Sequence, residues 1–277
     1  MIQTATQLKA KVRNLSGSDS TKAQTLIRNY IMERFLERIA LSPYRNNFIL
    51  KGGMLVAAVV GLDTRATMDI DTTVKSLTLS KENAVKTIED IIAVEIHDGV
   101  EFRISKVTEI MEERDYSGIQ CMLEATLDKM RQTIKIDIST GDIITPGAVE
   151  YFYPLMFEDR SISLWTYNLE TLLAEKLETI MARGTTNTRM RDFYDIHVIM
   201  LQKTHDNHVL KAAFIATSEK RNTIRQLPNF RRILQTIETD ENMTKLWIRY
   251  QAESFFVDDL AWTTVMKSAM LLAESVL

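Results

Sequence analysis

Apolar positions along this chain follow a helical period first, a strand period in the middle, and a helical period again to the end. From Ser20 to Ala40, Leu26, Ile27, Tyr30, Ile31, Phe35 and Ile39 recur at helical spacing and predict an amphipathic helix that Pro43 stops. Residues 1–19 read as polar, with a loop at Ser16-Gly17-Ser18-Asp19. Phe48, Ile49 and Leu50 lead into Gly52-Gly53, and Met54 to Val60 then runs apolar without a charge, long enough for about two helical turns before Gly61 closes it. A strand is predicted from Thr67 to Val74. Ser80 is placed to cap a helix reaching Ile96, with Val85, Ile88, Ile92 and Ile96 as its buried stripe.

The middle of the chain alternates with period two. Glu101 to Ile110 and Ile119 to Leu127 read as an antiparallel hairpin with a polar turn at Glu112 to Asp115. Arg131 to Thr140 puts Ile134, Ile136 and Ile138 on one face and Thr133, Lys135, Asp137 and Ser139 on the other. Residues 141–160, with Pro146, Gly147 and Pro154, read as a long connection before a last strand near Ser161 to Trp165. Only helices are predicted after Asn168. Leu169, Leu172, Leu173, Leu177 and Ile180 line one that ends at Gly184, and Phe193, Ile196, Met200 and Leu201 line the next, with Asp192 at the edge of the stripe. The result is an α+β chain: a mixed α/β part over residues 1–166 and a helical part over 167–277.

Two features of this pattern carry chemistry. A helix that opens on Gly52 and Gly53 presents backbone N–H groups at its positive dipole end, which favours phosphate. Asp69 and Asp71, two residues apart on a strand, point to one face while Ile70 points to the core, and paired carboxylates of this kind suit a hard divalent cation held together with substrate phosphates. Asp137, on the polar face of a neighbouring strand, is a candidate third carboxylate, as metal ligand, general base or ordinary polar-face residue. Lys176 falls inside an apolar stripe, where a lysine must either snorkel out or meet an anion. Arg191 and Asp195 stand four apart and would pair on a helix surface without any further role.

Composition narrows the partners. The hydrophobic content of 45% and charged content of 26% are those of an ordinary globular protein, and a net charge of −3 gives no global attraction to nucleic acid. A polyanion would have to meet a local basic patch, and Lys220, Arg221, Arg225, Arg231 and Arg232 form one without an intervening acid, or else a solvated helix face. The single cysteine, Cys121, excludes an internal disulfide and suits a reducing compartment. No stretch approaches the ~20 apolar residues of a membrane span, and the N-terminus lacks the apolar run of a signal peptide. The expected setting is the cytoplasm, with no membrane partner.

Taken in order, Lys51-Gly52-Gly53, Arg65-x-Thr67-x-Asp69-Ile70-Asp71, Ile136-Asp137-Ile138, Ala174-Glu175-Lys176-Leu177 and Arg191-Asp192-Phe193-Tyr194-Asp195 give the chain its likeness. It resembles the AbiEii/AbiGii-type nucleotidyltransferase toxins of bacterial toxin–antitoxin and abortive infection systems, over roughly residues 48–200. The resemblance implies a DNA polymerase β-like nucleotidyltransferase domain followed by a helical C-terminal domain that contributes to the site. It also implies Mg²⁺, an NTP substrate, a cognate antitoxin, and growth arrest by nucleotide transfer to RNA, in studied relatives the tRNA acceptor end. Carried over, Gly52 and Gly53 with Lys51, Arg65, Thr67 and Arg191 would bind the nucleotide. Asp69, Asp71 and Asp137 would hold metal, Lys176 would contact the nucleotide, and Asp192 would complete the last motif. Gly-Gly stands where the wider superfamily has Gly-Ser, and the step from Gly53 to Asp69 is longer than usual. Two rival expectations are nucleotidyl transfer to a protein hydroxyl and a nucleotide-binding module that acts without turnover.

Overall fold

The structure, a computed structural model, describes residues 1–112, 116–257 and 259–277, with no account of the side chains of residues 111, 112, 116 and 117. Its residues fall into two compact units: 1–58, 66–142 and 149–166 in the first, and 59–65, 143–148 and 167–277 in the second.

The chain opens with α1 (Ala5–Ser16), in the segment expected to be merely polar. Thr4 and Gln7 form a reciprocal capping box at its start, and Leu8 and Val12 bury themselves at helical spacing. The long helix α2 (Ser20–Leu41) follows, capped by the Asp19 side chain. It is not amphipathic in the simple sense expected, because Glu33, Arg34, Glu37 and Arg38 are buried alongside its apolar residues. Each finds a partner inside the unit. Arg38 donates to both carboxylate oxygens of Asp98 at 2.8 and 2.9 Å, Arg34 and Arg160 bridge Glu37 and Glu158, and the Met156 N–H donates to Glu33. Burial pushes the Glu33 carboxyl up to about 8, even with the Met156 N–H and Arg34 pulling the other way.

Strand β1 (Phe48–Lys51) runs straight into α3 (Gly52–Val60), and β2 (Asp69–Val74) returns antiparallel to β1. Helix α4 (Lys81–Ile92) starts at the expected Ser80 cap but ends four residues short of Ile96, and it buries Ala84, Thr87, Ile88 and Ile91. That stripe is rotated from the expected one, leaving Val85 and Ile92 half-buried. The hairpin of β3 (Val100–Glu112) and β4 (Tyr116–Leu127) and the next strand, β5 (Met130–Thr140), follow the expected pattern, while the turn expected at Glu112 to Asp115 lies mostly outside the described residues. The supposed connection contains another strand, β6 (Val149–Pro154), which pairs antiparallel with β7 (Ser161–Thr166) at one end of the sheet. Its edge position explains why its apolar side chains do not alternate with polar ones as in a half-buried central strand, and Pro154 is tolerated there because an edge strand can forgo a ladder N–H.

Among the described residues the seven strands form one mixed sheet in the order β3-β4-β5-β2-β1-β7-β6. The pairings β2–β5 and β1–β7 are parallel and the others antiparallel. Cys121, on β4 opposite Ile136 of β5, is wholly buried in this sheet. The second unit is helical: α5 (Leu169–Arg183), α6 (Met190–Gln202), α7 (Asn207–Lys220), α8 (Phe230–Thr239), α9 (Glu241–Glu253) and α10 (Trp262–Val276). Asn168 caps α5, and Gly184, at φ +53°, ends it as the sequence predicts. Leu201, expected in the core, is 71% exposed at the last turn of α6. No described helix is long and apolar enough to cross a membrane.

Candidate active site

The three central strands of the sheet bring the carboxylates together. Asp71 stands in register with Lys51 of β1 on one side and Asp137 of β5 on the other, and Asp69 stands in register with Lys135. Because the ladder fixes these residues on one face, the alternation that buries Ile70, Ile136 and Ile138 presents Asp69, Asp71 and Asp137 opposite them. Each offers a carboxylate oxygen, and the three oxygens lie within 4.8 Å of one another. All three residues are half-buried.

The surrounding residues hold each acid in place. The Thr67 hydroxyl donates to Asp69 Oδ1 at 3.1 Å, and the Gln120 amide donates to Asp137 Oδ1 at 3.0 Å. Asp71 Oδ2 sits before the start of α3, 3.4 Å from the Gly53 nitrogen, where the helix dipole favours negative charge. This contact gives the glycine pair a second reason to exist. Gly52 has φ +65°, and a Cβ built there would lie 2.0 Å from Asp71 Oδ2, so no side chain fits between the helix start and the acid. Lys51 pairs with Asp142 at 2.5 Å, and the Ser139 hydroxyl donates to the same carboxylate.

The sequence marks Lys135 only as one of several polar-face residues, whereas its side chain lies among the candidate acids. Its Nζ lies 2.8 Å from Asp69 Oδ2 and 2.9 Å from Asp137 Oδ2. Partial burial would lower the Lys135 pKa, but the two carboxylates outweigh that and raise it. The signal was available: Lys135 and Asp137 share a face two residues apart, but only the parallel pairing of β2 with β5 shows that this face is also that of Asp69. Arg28 of α2, half-buried, places a further positive charge near Asp69.

The second unit gathers the remaining expected residues. Lys176 is 7% exposed and meets anions, as a lysine inside an apolar stripe must: its Nζ lies 3.0 Å from Asp192 Oδ1 and 2.7 Å from Asp195 Oδ2. Arg65 pairs with Asp195 at 2.6 Å and Arg189 with Asp192 at 2.7 Å. Burial alone would raise the Asp192 carboxyl, yet Lys176 and Arg189 overcome it and hold the group at about 2; Asp195 is lowered in the same way by Arg65 and Lys176. Asp195, weighed from the sequence only as an i,i+4 partner of Arg191, instead faces Arg65 and Lys176, and Arg191 is exposed. The structure thus joins Arg65, Lys176 and Asp192 into one buried network, and joins Asp69, Asp71, Asp137 and Thr67 into another group with Gly53.

The central strands of this mixed sheet thus present three acids beside a helix that opens on glycines. The family model of the AbiEii nucleotidyl transferase toxin, of type IV toxin–antitoxin systems, matches residues 34–268, and the chain belongs to that family. Among solved structures, JHP933 from Helicobacter pylori is 13% identical with a TM-score of 0.51, over 91% of this chain and 93% of that one. A second H. pylori structure, described as that of a candidate nucleotidyltransferase, is 14% identical with a TM-score of 0.51, over 91% of this chain and 96% of its own. No curated protein matches the chain.

Proposed function

We propose that this chain is a toxin that transfers nucleotides from an NTP to an RNA 3′ end, with the tRNA acceptor end as the favoured substrate and Mg²⁺ as the metal. The observation that carries this reading is the convergence of Asp69, Asp71 and Asp137 within 4.8 Å beside the start of a glycine-opened helix. The donor set fits the metal, since carboxylate oxygens are the ligands of a hard divalent cation. When bound, such a cation neutralises the triphosphate and lowers the pKa of an attacking hydroxyl. In the reaction the RNA 3′-oxygen forms a bond to the α-phosphorus, the bond to pyrophosphate breaks, and the hydroxyl proton leaves to a base or to water. The chain's own part is to hold the acids: Thr67 orients Asp69, Gln120 orients Asp137, and the Gly53 N–H faces Asp71.

Lys176 keeps its proposed role as a nucleotide contact, with the two paired carboxylates fixing the position of its ammonium. The exposed Lys220, Arg225, Arg231 and Arg232 support an RNA-backbone contact, whereas Arg221 turns inward to Glu178 at 2.5 Å and drops out of the patch. Action in the cytoplasm and opposition by a cognate antitoxin complete the proposal.

The test is incubation of the purified protein with each labelled NTP, Mg²⁺ and total tRNA, followed by a denaturing gel. Label on tRNA is expected, reduced by about 10²–10³-fold or more in Asp69→Ala. Label on a protein band instead would transfer the reading to a protein hydroxyl, and NTP binding without any label would favour sequestration.

A further inference from the structure

We propose that Lys135 is a tethered cation that occupies the carboxylate cluster in the metal-free protein and competes with the divalent ion for it. The inference rests on the metal-site reading of Asp69, Asp71 and Asp137 given above. Three carboxylate oxygens within 4.8 Å of one another repel unless a positive charge lies among them. Lys135 supplies that charge from within the fold, with Nζ 2.8 Å from Asp69 and 2.9 Å from Asp137. Its place is set by the sheet: it shares a face with Asp137 on β5 and stands in register with Asp69 on β2.

The ammonium and a divalent ion cannot use these oxygens together. Asp69 and Asp137 hold the ammonium at 2.8 and 2.9 Å, and the same oxygens would have to release it before they could serve as ligands of a divalent cation. Metal entry therefore requires the lysine to swing out, and its side chain, 31% exposed, has solvent to swing into. Two consequences follow. The acids stay in place before metal arrives, and metal binding without nucleotide is weakened by the need to displace an internal charge.

The experiment measures Mn²⁺ binding to the full chain by electron paramagnetic resonance and calorimetry, without nucleotide, in wild type, Lys135→Met and Asp69→Asn. Lys135→Met removes the charge and keeps most of the length. It is expected to bind Mn²⁺ at least about tenfold more tightly than wild type, and to melt at a lower temperature without metal, with added Mn²⁺ restoring the loss. Equal or weaker Mn²⁺ binding in Lys135→Met, with binding lost in Asp69→Asn, would overturn the competition and leave the metal site standing. Binding that Asp69→Asn does not alter would instead remove the metal-site reading itself, and the competition with it. A second measurement uses wild type alone: acylation of lysines followed by mass spectrometry should show Lys135 labelled several-fold faster in saturating Mg²⁺, and an unchanged rate at saturation would refute its displacement.

Discussion

Gly52 shows how one residue can serve backbone and chemistry together. Its φ of +65° is left-handed, which costs a residue with a side chain roughly 1–2 kcal/mol, and a Cβ there would strike Asp71. Gly52→Ala is expected to destabilise the protein by about 1–3 kcal/mol in denaturant unfolding. It should also lose nucleotidyl transfer at temperatures where it remains folded, because Asp71 must move. Lys176 makes a contrasting case: removing one partner of a buried ion pair leaves unpaired charge, so Lys176→Met should cost about 3–5 kcal/mol and speed amide exchange in α5 and α6. At this scale the sequence announced the acids but not their company. Asp69 and Asp71 are legible from strand spacing alone. Lys135 and Asp195 were not, because each depends on a partner in another element: β2 for the first, and the segment around Arg65 and α5 for the second.

Elements were legible where one face is buried and poorly legible where both or neither are. The alternation of β5 marks its bounds to within one residue and that of β4 its end at Leu127, although β4 starts three residues before Ile119; α2, buried nearly all round, shows a stripe but hides its internal ion pairs. Helix α1 carries only a sparse buried stripe and so little periodic signal, although Thr4 and Gln7 spell a capping box. Within α2, Glu33 makes stability depend on pH. Its folded pKa of about 8 lies above the usual 4.5, so the folded state holds the proton more tightly than the unfolded chain. That contribution is fully present below about pH 4.5 and is lost as pH rises through 8, with a slope of up to about 1.4 kcal/mol per pH unit between. Thermal unfolding across pH 5 to 8 should show the decline, and Glu33→Gln, neutral throughout and still able to accept from Met156, should flatten it.

For the molecule as a whole, the mixed α/β character of the first part and the helical character of the second were readable from the switch in hydrophobic period. Less readable was the assignment of residues 59–65 and 143–148 to the helical unit, since those segments lie far from it in sequence and have no pattern that anticipates the contact. Arg65 is the telling instance: it precedes β2 in the chain, yet its guanidinium is buried against Asp195. The helical unit should be sensitive to acid. Asp192 is held near 2 against an ordinary 3.8, so its contribution is present above about pH 4 and drains as pH falls towards 2. Asp192→Asn should remove that acid-sensitive component while lowering stability at neutral pH, as followed by tryptophan fluorescence.

Cys121 has a practical consequence. Wholly buried on β4, its thiol is pushed up to about 11 by burial and by the nearby Asp137, so almost none of it is thiolate at neutral pH. To a maleimide the native chain therefore behaves as though it had no cysteine. Cysteines introduced at Phe152, 68% exposed in the first unit, and at Leu201, 71% exposed in the second, would each carry a dye without any change to the sheet interior. Each dye would then report on its own unit as NTP and metal are added.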